Sequence, residues 1–157
     1  MNLLQYSKTL NYKENKILVN YCIRLHKFMQ GCEIEIEFID DLRNNYYLIG
    51  QKAIQIDSSQ NTWTILSAIF HEIGHCLDEC ENEDLFFYQP NILKSKKEYT
   101  AEEIELEVGS EKRAWKKAEG VAKLLKIPLE AWYWSYKDKN IKSYETWAKR
   151  KMKKLAK

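Results

Sequence analysis

Thr62-Trp63-Thr64-Ile65-Leu66-Ser67-Ala68-Ile69-Phe70-His71-Glu72-Ile73-Gly74-His75-Cys76-Leu77-Asp78-Glu79-Cys80 is the stretch from which the fold and chemistry of this chain are read. At about 100° per residue it forms an amphipathic helix. Ile65, Leu66, Ile69, Phe70, Ile73, Cys76, Leu77 and Cys80 fall on the half opposite His71 and belong in a core. Thr64, Ser67, Ala68 and Asp78, small or polar, lie beside His71 and His75, which predicts room above the histidines. Residues i and i+4 share a helix face, so the two imidazoles can grip one metal ion. Glu72 follows the first histidine, where an H-E-x-x-H helix carries the carboxylate that reaches activated water. Asp57, Ser58, Ser59 and Asn61 offer N-caps for a helix over residues 60–80.

A catalytic zinc site takes three protein ligands and leaves one position open. The third histidine of the chain, His26, has no partner at ligand spacing and reads as a surface or boundary residue. The H-E-x-x-H-x-x-G-x-x-H continuation is absent, because Asp78 and Glu81 stand at its glycine and histidine. A later carboxylate is therefore needed. Thr100-Ala101-Glu102-Glu103 is a capping box opening a helix over residues 100–126, with a break conceivable at Gly109. Ile104, Val108, Glu111, Trp115, Ala118, Ala122 and Leu125 form one stripe on it, and Glu111 is the only charge there. Burying a lone carboxylate is costly, and a metal is one way to offset that cost. Glu111 is thus the favoured ligand. Glu107, and further round Glu103, are alternatives, and Asp78 could ligate or accept a hydrogen bond from a ligating histidine.

Outward from these two helices the chain reads as one α+β domain, mostly helical, with a small sheet of about three strands preceding the motif. Ile17, Tyr21, Leu25 and Phe28 predict a helix over residues 12–30, ended by Gly31. The sheet falls in residues 32–57. Cys32 to Phe38 alternates with glutamates on one face, and two further runs flank Gly50-Gln51, which suits a two-residue type II′ turn. Cys80 to Tyr99 reads as a long loop that could cover the site. Two helices are expected within residues 128–157, one over Pro128 to Lys137 and a basic one after it.

At 157 residues, a single domain can bury roughly 70% of its unfolded surface. No run of about 18 apolar residues exists, which argues against a membrane span. The first ten residues lack the charged start and apolar core of a signal peptide. Cys22, Cys32, Cys76 and Cys80 are then expected to be reduced thiols in a cytoplasm. Cys76 and Cys80 lie on the apolar side of their helix, so buried thiols are the plainer reading than a second metal site. From Lys137 to Lys157, nine Lys/Arg stand against Asp138 and Glu145, in a chain of net charge +2. Such a segment could hold nucleic acid phosphates. A solvated outer face is the plainer reading, since Ile141, Tyr144, Ala148 and Leu155 form an apolar stripe on the same helix.

With His71-Glu72-Ile73-Gly74-His75 followed by Glu111-Lys112-Arg113-Ala114, and the short strand Ile54-Gln55-Ile56-Asp57 before the motif, the chain resembles the ImmA/IrrE metallopeptidases, a gluzincin-type family of bacteria, phages and integrating elements. The resemblance covers about Ile34 to Leu125. It implies a zincin-like fold, one zinc ion on His71, His75 and Glu111, and Glu72 as catalytic base. The substrate it implies is a regulatory protein such as a transcriptional repressor of a mobile element. The chain has Arg113 where the family usually has an acid, and Trp115-Lys116-Lys117-Ala118 where it has an aromatic-Ala pair. The strand Lys52 to Ile56 is the candidate edge for an extended peptide, and Tyr88 or Tyr99 a candidate oxyanion donor. Two other readings remain open: a SprT-like protease acting on DNA-bound proteins, and a non-enzymatic protein-binding regulator on a zincin scaffold. Glu72 argues against the latter, because a scaffold has no use for a base.

Overall fold

The computed structural model describes residues 1–40, 45–48, 50–82 and 98–156. The fold is a mostly helical α+β arrangement with a small mixed sheet. Helix α1 (Leu3–Thr9) and helix α2 (Tyr12–Gly31) come first. Strands β1 (Glu35–Ile39), β2 (Tyr46–Leu48) and β3 (Ala53–Asp57) follow, then α3 (Thr62–Glu81), α4 (Ala101–Leu124) and α5 (Ala131–Leu155). No helix among the described residues is long and apolar enough to cross a membrane.

The first helix is not anticipated above, although Asn2 and Gln5 form a capping box at its start. It buries Leu3, and Tyr6 stacks on Phe38 of β1 with ring centroids 4.7 Å apart. Gly31 does not stop α2. The left-handed turn falls on Glu33 (φ 58°), and the amides of Cys32 and Ile34 satisfy the last carbonyls of the helix. Those amides are therefore spent on the helix end, and β1 begins at Glu35 rather than Cys32.

The sheet order is β1-β3-β2, with β1 parallel and β2 antiparallel to β3. This corrects the expected substrate edge: the strand Ala53–Asp57 is central, hydrogen-bonded on both sides, and the free edges belong to β1 and β2. The hairpin connection is also longer than two residues. Leu48 pairs with Ala53, Gln51 donates to the Leu48 carbonyl at 3.0 Å, and Gly50 and Lys52 both take positive φ (77° and 45°).

Asn61 caps α3 through the Thr64 amide, and its large apolar residues Ile65, Leu66, Ile69, Phe70 and Ile73 are buried as the wheel requires. The opposite face is buried too, which corrects the expected room above the histidines. Ser67, Ala68, His71, Glu72, Gly74 and Asp78 are all covered. The covering element is chiefly α4, which packs along α3 more extensively than any other helix does.

Helix α4 opens with the Thr100–Glu103 capping box and runs through Gly109 without a break. An isolated glycine costs a helix about 1 kcal/mol relative to alanine but keeps its backbone bonds. The two helices expected after Pro128 are one, α5, because neither Pro nor Gly occurs between Ala131 and Leu155 to end it. The expected loop after Cys80, Pro90 and Tyr88 in it, and its role as a cover fall on residues 83–97 and lie outside the described residues.

Candidate metal centre

His71 and His75, one turn apart on α3, direct their Nε2 atoms to one point, 3.2 Å from each other. Glu111 of α4 meets both, Oε2 at 3.1 Å from His71 and Oε1 at 3.2 Å from His75. Of the Asp, Glu, His and Cys side chains among the described residues, these three alone form a group whose ligand atoms converge as a metal site requires. One proton cannot serve all three edges of such a triangle. It joins one pair and leaves the remaining lone pairs facing each other, and Glu111 Oε2 is buried without a hydrogen-bond donor. A tetrahedral ion bound at about 2.0–2.1 Å sets its donors about 3.3 Å apart. The observed triangle fits a cation of that size.

The alternatives to Glu111 are engaged elsewhere or stand outside the trio. Asp78 is fully buried, and both its oxygens accept from Arg113 Nε at 3.0 Å while Asn82 donates to it at 2.9 Å. This ion pair ties the end of α3 to α4 and gives the unexpected Arg113 a role. Glu103 accepts from the Thr100 amide at 2.9 Å in the capping box. Glu107 lies one turn before Glu111, and burial first, then the Glu111 charge, push its carboxyl up. Cys76 is buried and Cys80 exposed, with no disulfide formed. His26 lies on α2, outside the trio.

The charges around the triangle are strongly coupled. Burial lowers the basicity of His75, but the charge and hydrogen bond of Glu111 outweigh it and, with Glu72 and Glu107, raise its pKa to about 9. Burial alone would raise the Glu111 carboxyl, yet the two histidines hold it well below the usual range. Glu72 is 5% exposed. Burial, only partly countered by His71 and His75, pushes its carboxyl up, as suits a base working near neutrality.

In the metal-free protein near neutral pH, His75 thus holds a proton that a metal must displace. Metal binding at pH 7 is expected to release about one proton from this site. Since the metal-free form is protonated below about pH 9, apparent affinity should climb about tenfold per pH unit up to that point and flatten beyond it. Titration calorimetry in buffers of different ionisation enthalpy measures the release. Release of none would mean that His75 is not a ligand.

Helices α4 and α5 also hold the ligands in place. Trp115 stacks on the His71 ring (centroids 4.3 Å apart, planes 18°), and its Nε1 donates to Asn140 of α5 at 2.8 Å. His71 Nδ1 is buried with no hydrogen-bond partner, so stacking fixes this ring where a metal-bound histidine usually has a polar partner. Tyr144 of α5 comes within hydrogen-bonding reach of Glu111, and burial first, then Glu111 and its acidic neighbours, raise its phenol far above the ordinary value. Tyr136 accepts from Asn45 Nδ2 at 3.3 Å, at the entry to β2, and its hydroxyl also feels Glu72 and Glu111. Tyr99 packs instead on Trp147, with Lys151 over its ring. The tyrosines at the site are therefore Tyr136 and Tyr144. Tyr144 is visible in the sequence only as part of the inner stripe of the last helix, and neither spacing nor motif ties it to Glu111.

No family model, curated protein or solved structure matches the chain.

Proposed function

We propose that this chain is a zinc-dependent metallopeptidase of the ImmA/IrrE kind, acting in the cytoplasm on a regulatory protein such as a repressor. The observation that carries the reading is the buried triangle of two imidazoles and a carboxylate with a second buried carboxylate, Glu72, beside it. Two nitrogens and one oxygen are a donor set for zinc rather than for calcium or magnesium, which take oxygen. Zinc held there would supply water activation near pH 7 and Lewis-acid polarisation of a carbonyl.

The protein does the rest. Glu72 takes the proton of the attacking water and delivers it to the leaving amine, and its burial keeps it basic enough for the first step. Tyr144 orients the Glu111 carboxylate, and Tyr136 has a hydroxyl proton to donate toward a carbonyl oxygen, because its own oxygen already accepts from Asn45. A peptide adding to a sheet edge meets β2, since Asn45 at its start reaches Tyr136 beside the site. Reduced Cys22, Cys32, Cys76 and Cys80 accord with a cytoplasm.

The test compares wild type with Glu72→Gln on a peptide library, each assayed as purified, after chelation and after zinc return. Wild type is expected to cleave, to stop on chelation and to recover with zinc. Glu72→Gln should bind zinc as tightly as wild type and turn over at least a hundredfold more slowly, the usual reach of a lost general base. Equal turnover in the two proteins would sink Glu72 as the base, and no zinc-dependent cleavage by wild type would sink the peptidase reading and leave a protein-binding zincin scaffold.

A further inference from the structure

The outward ridge of α5 is chemically uniform. Lys139, Lys142, Lys149, Arg150, Lys153 and Lys154 are all exposed and recur at helical spacing, so they line one face over about 22 Å. The other exposed side chains on that face are hydroxyls, Ser135, Ser143 and Thr146. Of the acids of this helix, exposed Asp138 borders the ridge beside Lys142 and Lys149, and Glu145, next round, faces Lys112 at 3.7 Å. The Lys and Arg ion pairs among the described residues engage Lys52, Lys112, Arg113, Lys117 and Lys137, and none involves a ridge cation.

A face that only needs to be solvated interleaves both signs, because opposite charges at i,i+4 support an exposed helix. Here Asp138 and Lys142, and Glu145 and Lys149, stand at that spacing as opposite charges, but Lys149 and Lys153, and Arg150 and Lys154, stand at it as like charges that disfavour the helix. The helix dipole welcomes cations in the last turn, which accounts for Lys153 and Lys154 but not for Lys139 or Lys142. The whole chain carries only +2, so six cations on one ridge beside two acids, none of the six in an ion pair among the described residues, concentrate positive charge there.

We propose that this ridge docks duplex DNA through its phosphates. Lys, Arg, Ser and Thr are the side chains that reach phosphate oxygens. Single strands need aromatic platforms for stacking, and the ridge offers none. Trp134, the exposed indole of this helix, lies round its side beneath Lys137. Tyr144, facing Glu111, occupies the opposite side of α5, so the surface is separate from the metal centre and the proposal does not rest on the peptidase reading.

Anisotropy of a short labelled duplex of arbitrary sequence, followed between about 50 and 200 mM salt, tests it. Contact by four to six ridge cations gives a log–log slope of about −3.6 to −5.4, a loss of at least roughly 150-fold in affinity over that range. Replacing Lys149, Arg150 and Lys153 together by Gln should flatten the slope by about 2.7. The same charge change at exposed Lys8, Lys13 and Lys16 should leave it unchanged, and Glu111→Ala should bind the duplex as wild type does. No binding at low salt, equal losses in the two triple variants, or tighter binding to a single strand or to vesicles of anionic lipid would overturn the proposal.

Discussion

Replacing Glu111 by alanine is expected to strip the protein of its metal while leaving the fold standing. Glu111 supplies the only carboxylate of the triangle, 3.1 and 3.2 Å from the two imidazole nitrogens. Loss of a partner outside the ligands typically costs about 10–100-fold in metal affinity; loss of a ligand should exceed a hundredfold. Turnover should vanish with the metal. The fold is spared because the charge removed is itself expensive to bury. Its partner His75 can shed its proton and stay as a neutral imidazole, so no cation is stranded.

Zinc stoichiometry and competition with a chromophoric chelator measure the affinity. Melting with and without zinc measures the rest. A ligand at a hundredfold excess over its Kd stabilises by about 2.7 kcal/mol, roughly 5–11 °C for a domain of this size. Wild type should gain that shift, and Glu111→Ala should gain none while melting, metal-free, within a few degrees of metal-free wild type. Glu107→Ala is the comparison, because Glu107 shares the acidic neighbourhood but not the triangle. It should keep the full zinc-induced shift. The reverse ordering would place the third ligand at Glu107.

The metal trio is legible in the sequence because each member announces itself by periodicity. His71 and His75 share a face by spacing alone, and Glu111 is the one charge on an otherwise apolar stripe, which folding tolerates only with compensation. What periodicity does not carry is the relation between helices. The wheel separates a large-apolar from a small-polar half of α3 and suggests space over the second. In the fold, small residues there mean instead that another helix comes close. Strand order is hidden for the same reason: Ala53–Asp57 and Glu35–Ile39 both read as strands, and nothing local says that the last of three lies in the middle. Tyr136 and Tyr144 reach the site across a helix pairing far apart in sequence. Trp115 is visible on the Glu111 stripe, but its stacking on His71 follows from the approach of the helices and not from either segment alone.

That close approach has a single-residue test. Gly74→Ala, inside the motif and buried, is expected to destabilise the protein by more than about 3 kcal/mol, the upper end of ordinary overpacking. A Cβ at this position would fall 2.0 Å from the Ala114 carbonyl oxygen, 2.7 Å from its carbon and 3.1 Å from its Cα. These are backbone atoms of α4 and cannot rotate away, so the two helices must part. Helix propensity pulls the other way, because alanine is favoured over glycine by about 0.8–1.0 kcal/mol, and the sign of the result decides which effect wins. Gly120, exposed on α4 with nothing within 4 Å of an added Cβ, isolates the propensity contribution. Gly120→Ala should raise the melting temperature by a few degrees, and Gly74→Ala should lower it by roughly 6–12 °C or more. The second variant should also lose zinc. Ala114 lies three residues after Glu111, and Gly74 sits between the two histidines, so parting the helices there pulls the carboxylate away from both nitrogens. A Gly74→Ala protein that melts higher than wild type and keeps its zinc would mean that α3 and α4 do not meet at this contact.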